Sequence, residues 1–287
     1  MGRIGRTPET LEYILNYRTF VILAFLMPLT LEANDSTPSR STGNISTAES
    51  IKEPALTINE PMFFVVGKDD DTTAEFQLSF KYRVFAEDGF VVDRAGWLED
   101  LHVAYTQTSL WNLSEESAPF EDSTYRPSVF WEFRSQSNPF GARLLRVGYE
   151  HASNGQDEDR SRSIDTLFLM PAWSSELFGK QWTIAPKFVG YLAKGSENDD
   201  IADYRGYSDL ILRVGTEDSL LISSLYRLGD NGRTTIQLDL SYPIRKRIFE
   251  RTGGYLFLRA FKGYGETLET YNRKQDLQVR IGFAIVR

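Results

Sequence analysis

The chain has 287 residues, 13% of them aromatic, no cysteine and a formal net charge of -8. Without cysteine there can be no disulfide framework, thiolate metal site or cysteine nucleophile, and the acidic balance argues against nucleic acid as a partner. No stretch after the N-terminal segment is long and apolar enough for a membrane-spanning helix. Two classes remain: a soluble β protein, or a transmembrane β-barrel whose strands hide their hydrophobicity by alternation.

Residues 1–33 read as a signal peptide. Arg3, Arg6 and Arg18 precede an apolar run from Phe20 to Leu31 that is too short to cross a bilayer, and Ala33 is the candidate cleavage position. Residues 34–58, rich in Ser, Thr, Asn and Pro and without periodicity, read as a flexible linker that packs against nothing. From 59 to 287 the period is two. Phe76, Leu78, Phe80, Tyr82 and Val84 alternate with Gln77, Ser79, Lys81 and Arg83. Leu277, Val279, Ile281, Phe283 and Ile285 repeat the pattern near the C-terminus, as do Ile236, Leu238, Leu240 and Tyr242 before it. Such runs are strands. Twelve can be placed, at 60–67, 75–85, 97–111, 126–134, 141–153, 161–173, 180–193, 206–215, 219–227, 232–242, 253–262 and 276–287. Many are near the length a tilted membrane strand needs, and an even count suits a bacterial barrel.

The loops give an orientation. With both barrel ends in the periplasm, the long polar loops near 112–125, 194–205 and 263–275 fall outside, and the short connections near 135–140, 174–179 and 216–218 fall inside. Two segments depart from that rule: 86–96 is long for a periplasmic turn, and Gly229–Gly232 makes a short outer hairpin.

The chemistry concentrates in Tyr149-Glu150-His151-Ala152-Ser153-Asn154-Gly155 and the following Ser161-Arg162-Ser163-Ile164-Asp165. Side chains at i and i+2 of a strand share a face, so His151 and Ser153 lie side by side. If the chain turns back after Gly155, the strand carrying Asp165 becomes their neighbour. Along the fifth strand Leu145, Val147, Tyr149 and His151 share the lipid face, and Arg146 and Glu150 the lumen. On the sixth, Asp165 lies with Leu167 and Leu169 on the lipid side. Polar groups facing lipid are costly unless partnered, and their presence calls for a function. His102 is expected in the lumen, the acidic runs at 68–71 and 196–200 in solvated loops, and the tryptophans in interfacial girdles.

From about Asn59 onward the chain resembles bacterial outer-membrane phospholipase A. The resemblance rests on Tyr105-Thr106-Gln107, Glu115-Glu116-Ser117-Ala118-Pro119-Phe120, Gly148 to Gly155, Ser161-Arg162-Ser163, Leu240-Ser241-Tyr242-Pro243-Ile244 and Gly263-Tyr264-Gly265-Glu266. It implies an all-β, twelve-stranded antiparallel transmembrane barrel in the bacterial outer membrane. It also implies a Ca2+-dependent lipase, active as a homodimer, that hydrolyses phospholipid acyl esters. Ser153 matches the family nucleophile and His151 its general base, while Asp165 stands where the family pattern has asparagine. An ionised carboxylate can orient an imidazole as well. The metal positions correspond to Ser161, the carbonyl of Gln156 and, from the partner subunit, Ser117; Gln107 matches a glutamine of the dimer interface. Two other readings of the same residues are a non-catalytic channel or scaffold, and a lipopolysaccharide deacylase.

Overall fold

The computed structural model describes residues 54–68, 71–86, 88–134, 138, 140–216, 218–244 and 254–287. The segment read as a signal peptide, and the linker up to residue 53, lie outside the described residues. Thirteen strands occur in chain order: β1 Leu56–Thr57, β2 Met62–Lys68, β3 Thr72–Arg83, β4 Leu101–Asn112, β5 Phe120–Phe133, β6 Leu144–Ser153 and β7 Ser163–Leu177, then β8 Lys180–Lys194, β9 Ser208–Gly215, β10 Leu221–Leu228, β11 Thr234–Pro243, β12 Tyr255–Tyr264 and β13 Lys274–Val286. Each pairs antiparallel with the next from β2 onward, and β13 pairs back onto β2, so β2–β13 close a twelve-stranded barrel. The short β1 continues the edge of β3 beyond the end of β2, with Leu56 opposite Tyr82. The end of the stretch read as linker is therefore part of the sheet.

The alternation sorts the two faces of the wall in a way water would not permit. On β3, Leu78, Phe80 and Tyr82 are between 45% and 48% exposed, while Glu75, Gln77, Ser79 and Lys81 are at most 7% exposed. On β13, Val279, Ile281, Phe283 and Ile285 are likewise about half exposed. Apolar outside and charged inside is stable only when the outer solvent is lipid. Inside, the charges neutralise one another. Glu132 meets Lys81, Arg146 and Arg134 at 2.6 Å each. Arg259 joins Glu75 and Asp239, Arg227 holds Asp209, and Glu150 lies between Lys187 and Arg126. His102 points into this lumen, stacked on Phe130 with centroids 5.8 Å apart.

Element bounds differ from the pattern where the wall leaves the apolar belt. The loop expected over 112–125 is only 113–119, because β5 begins at Phe120, opposite Trp111. Beyond lipid both faces of a strand are wet, so the period-two signal fades while the backbone ladder continues. Segment 86–96 contains a short helix, α1 Phe90–Arg94, followed by a 3₁₀ turn at Gly96–Leu98 that delays β4 to Leu101. That helix accounts for its excess length. β7 and β8 run on to a two-residue hairpin at Phe178 and Gly179, with φ of 55° and 67°, the positive angles that primed hairpin turns require. The loop at 194–205 carries a 3₁₀ turn, Ser196–Asn198, and a second helix, α2 Ile201–Arg205. The short Gly229–Gly232 connection is a 3₁₀ turn, and the guanidinium of Arg233 after it lies 4.2 Å over the Tyr204 ring of α2.

At the long-loop end, Ile201 of α2 packs with Leu268 and Tyr271 of the loop after β12, against Ala152 of β6 and Ile164 of β7. Ala152 and Ile164 are the inward residues immediately beside His151, Ser153 and Asp165. The apolar cluster across the mouth therefore braces the strands of the site from within.

Candidate active site

β6 and β7 form a hairpin whose register sets His151 opposite Asp165 and Ser153 opposite Ser163. The period-two rule then puts His151, Ser153 and Asp165 together on the lipid-side wall. The His151 Nδ1 to Asp165 Oδ1 distance is 2.8 Å. An ionised carboxylate only accepts hydrogen bonds, so Nδ1 carries the hydrogen and the Nε2 lone pair is left as the base. The same Asp165 Oδ1 also accepts a short hydrogen bond from the Tyr149 hydroxyl. Ser153 shares the face, and its hydroxyl forms no hydrogen bond among the described residues.

The turn between the two strands is held by Asn154, which is 2% exposed. Its Oδ1 accepts from the backbone N–H of Arg162 at 2.9 Å and of Gln156 at 3.4 Å, and its Nδ2 donates to the Arg160 carbonyl at 2.8 Å. Gly155 follows with φ +65°, and a Cβ there would sit 3.2 Å from the Tyr125 ring. Both features leave little room for another residue. Gly148, between Arg146 and Glu150, is constrained too: a Cβ would come within 2.2 Å of the Val129 carbonyl on β5. The turn is also tied outward. Arg160 forms a two-pronged ion pair with Glu269 at 2.8 Å, and Arg162 donates to the carbonyls of Asp159 and Ser161.

Asn198 is a residue that sequence reasoning missed. The run 196–200 is largely solvated, but Asn198 is fully buried, accepts from the Ser163 N–H at 3.1 Å and donates to the Ser163 carbonyl at 2.9 Å. It clamps the residue paired with Ser153. A contact spanning 35 residues of sequence leaves no local pattern to read.

The expected metal residues separate into two groups. Gln156 and Ser161 sit on the Asn154-held turn, with Gln156 exposed and Ser161 half-buried. Neither the Ser161 hydroxyl nor the Gln156 carbonyl is engaged by a protein donor among the described residues. Ser117 is exposed on the 113–119 loop, which is pinned where the Trp111 indole donates to the Ala118 carbonyl. Among the described residues no group of three or more His, Asp and Glu is arranged to hold a metal. Any cation here would rest on hydroxyl and carbonyl oxygens, a donor set that suits a hard ion such as calcium. On the wall nearby, Gln107 accepts from Tyr105 Oη at 3.0 Å and donates to Ser109 Oγ at 3.2 Å.

A closed barrel with an apolar exterior is a transmembrane β-barrel, and this one carries a hydrogen-bonded histidine–aspartate pair on the same outer face as a serine. The chain belongs to the Phospholipase A1 family, whose model matches residues 15–286, and is an integral outer-membrane barrel. It is 34% identical over 220 residues to the putative phospholipase A1 of Neisseria meningitidis serogroup B, an alignment that takes in 73% of this chain. The chain spans 54% of that relative's length. Outer membrane phospholipase A from Escherichia coli superposes with a TM-score of 0.68 at 25% identity, over 83% of this chain and 95% of that one. The Salmonella typhi outer membrane phospholipase dimer with bound calcium shares the fold, with a TM-score of 0.67 at 24% identity over 84% of this chain and 94% of its own.

Proposed function

We propose that this chain is a calcium-dependent outer-membrane phospholipase that hydrolyses phospholipid acyl esters (A1/A2 and lysophospholipase type) and is active as a homodimer. The observation that carries this reading is the 2.8 Å His151–Asp165 bond on the lipid-side wall, two residues along β6 from Ser153 and on the same face. Structural charges in this barrel are kept in the lumen. A partnered charge on the outside, where acyl chains lie, supports a reaction on lipid.

In this mechanism His151 Nε2 takes the proton of Ser153 Oγ as that oxygen bonds to the ester carbonyl carbon. The imidazolium then gives the proton to the leaving alcohol oxygen as the ester C–O bond breaks, leaving an acyl-serine and a lysophospholipid. Water, deprotonated by the same imidazole, cleaves the acyl-serine to a fatty acid and restores the hydroxyl. Asp165 holds the imidazole and balances its transient charge. The Asn154 N–H is occupied by the Arg162 carbonyl, whereas the Gly155 N–H has no protein acceptor among the described residues. That leaves Gly155 as the amide to meet the oxyanion. Ser161, the Gln156 carbonyl and Ser117 from a second copy would hold calcium, which when bound supplies further electrophilic stabilisation at that oxygen. A ligand from the second copy makes the monomer incomplete, and Gln107 would lie in the same interface.

The test is fatty-acid release from phospholipid micelles by the refolded protein, with calcium and then with EDTA. Release that needs calcium and disappears in Ser153→Ala is expected; no release under conditions that favour dimers would sink the reading. A non-catalytic channel or scaffold would leave every phenotype unchanged in Ser153→Ala. A lipopolysaccharide deacylase would show itself by preferring that substrate over phospholipid in the same assay.

A further inference from the structure

Resting on the hydrolase reading above, we propose that Tyr149 is a positioning residue of the reaction, a fourth member of the relay that acts through Asp165. Tyr149 stands two residues before His151 on β6 and so shares its face. Its hydroxyl donates to Asp165 Oδ1, the same oxygen that accepts from His151 Nδ1 at 2.8 Å. On the other side, β8 sets uncharged Ala193 opposite Asp165. On its own strand the outward neighbours of Asp165 are Ser163 and Leu167. Among the described residues no Lys or Arg is paired with Asp165.

A carboxylate beside acyl chains and without a cation favours its protonated form, because desolvation penalises the ion. A protonated Asp165 would lose its hold on the imidazolium that forms during turnover. The Tyr149 hydroxyl opposes this by hydrogen-bonding to the ionised form. It also fixes which oxygen faces His151, and with it the Nδ1–H tautomer. Tyrosine fits the place: its ring adds apolar surface to the wall while its hydroxyl reaches one strand across.

The experiment compares the full chain with Tyr149→Phe, Asp165→Ala and the double variant, refolded in micelles with calcium, and uses Ser153→Ala as the control. Turnover is followed against pH, and Ser153 reactivity by its rate of reaction with a sulfonyl fluoride, which remains readable in slow variants. Tyr149→Phe is expected to lower kcat about tenfold, at little change in KM, and to move the acid limb of the pH profile upward. In the Asp165→Ala background the same change is expected to do nothing further. An equal loss from Tyr149→Phe in both backgrounds would overturn the proposal and assign Tyr149 to packing or substrate contact. So would an unmoved kcat and acid limb in the single variant. Release that survives Ser153→Ala would instead overturn the hydrolase reading on which the proposal rests.

Discussion

Glu132 and Asp165 are both carboxylates on barrel strands, and the molecule manages their charge in opposite ways. Glu132 lies in the lumen, almost wholly buried, with Lys81, Arg146 and Arg134 each at 2.6 Å. Asp165 lies on the outer wall, about 30% exposed, and among the described residues is met by a phenol and an imidazole and by no Lys or Arg. Three cations leave Glu132 with nothing further to stabilise, which suits a brace across the barrel. In the proposed mechanism Asp165 keeps an attraction in reserve, and the group placed to draw on it is His151 when it takes a proton. A structural ion pair is complete at rest, whereas a reactive one is completed during turnover.

Four substitutions would break or sharpen that contrast. The largest expected effect is on chemistry alone: Ser153→Ala should lower fatty-acid release by roughly a thousandfold or more without moving the urea midpoint of the refolded protein. Glu132→Ala should do the reverse, because it leaves three cations around an empty place. A loss of about 3–5 kcal/mol in unfolding free energy is expected, with turnover per folded molecule unchanged. If that variant lost activity at full stability, the division between brace and site would be wrong.

Asn154→Ala tests the scaffold between the two regions. Removing a buried side chain that satisfies three backbone groups should cost about 1–3 kcal/mol. Because Gln156 and Ser161 flank it, half-maximal release should also need more calcium. Smallest is Asp165→Asn, for which we expect a loss of about tenfold or less, near 1.4 kcal/mol in the barrier. An amide can still present its oxygen to His151 Nδ1, and the Tyr149 donor selects the oxygen over the NH2. A loss of several thousandfold would mean that the amide turns its nitrogen to the imidazole.

Much of the wall and half of the site were legible in the sequence. Alternation on β3 and β13 identifies the lipid face, and on β6 and β7 it puts His151, Ser153 and Asp165 on that face. The pattern failed where its cause was absent. Phe120 to Tyr125 belong to β5, but Phe-Glu-Asp-Ser-Thr-Tyr does not alternate apolar with polar residues, so no period of two marks them. Leu56 and Thr57 join the sheet although their neighbours read as linker. Asn154 and Asn198 act by side-chain bonds to backbone groups, which impose no periodicity.

The sequence by itself determined which residues face lipid, which face the lumen, and that a histidine and a serine share one edge of a hairpin. These follow from a strand's repeat of two and from the free energy of placing each side chain in lipid or water, both local quantities. Tertiary structure decided the rest: that Tyr149 and His151 converge on one oxygen of Asp165, that Asn198 reaches back to clamp Ser163, and that Ile201, Leu268 and Tyr271 pack on Ala152 and Ile164 behind the site. Each of those depends on the register between strands and on loops folding over the barrel end, and neither exists until the ring has closed.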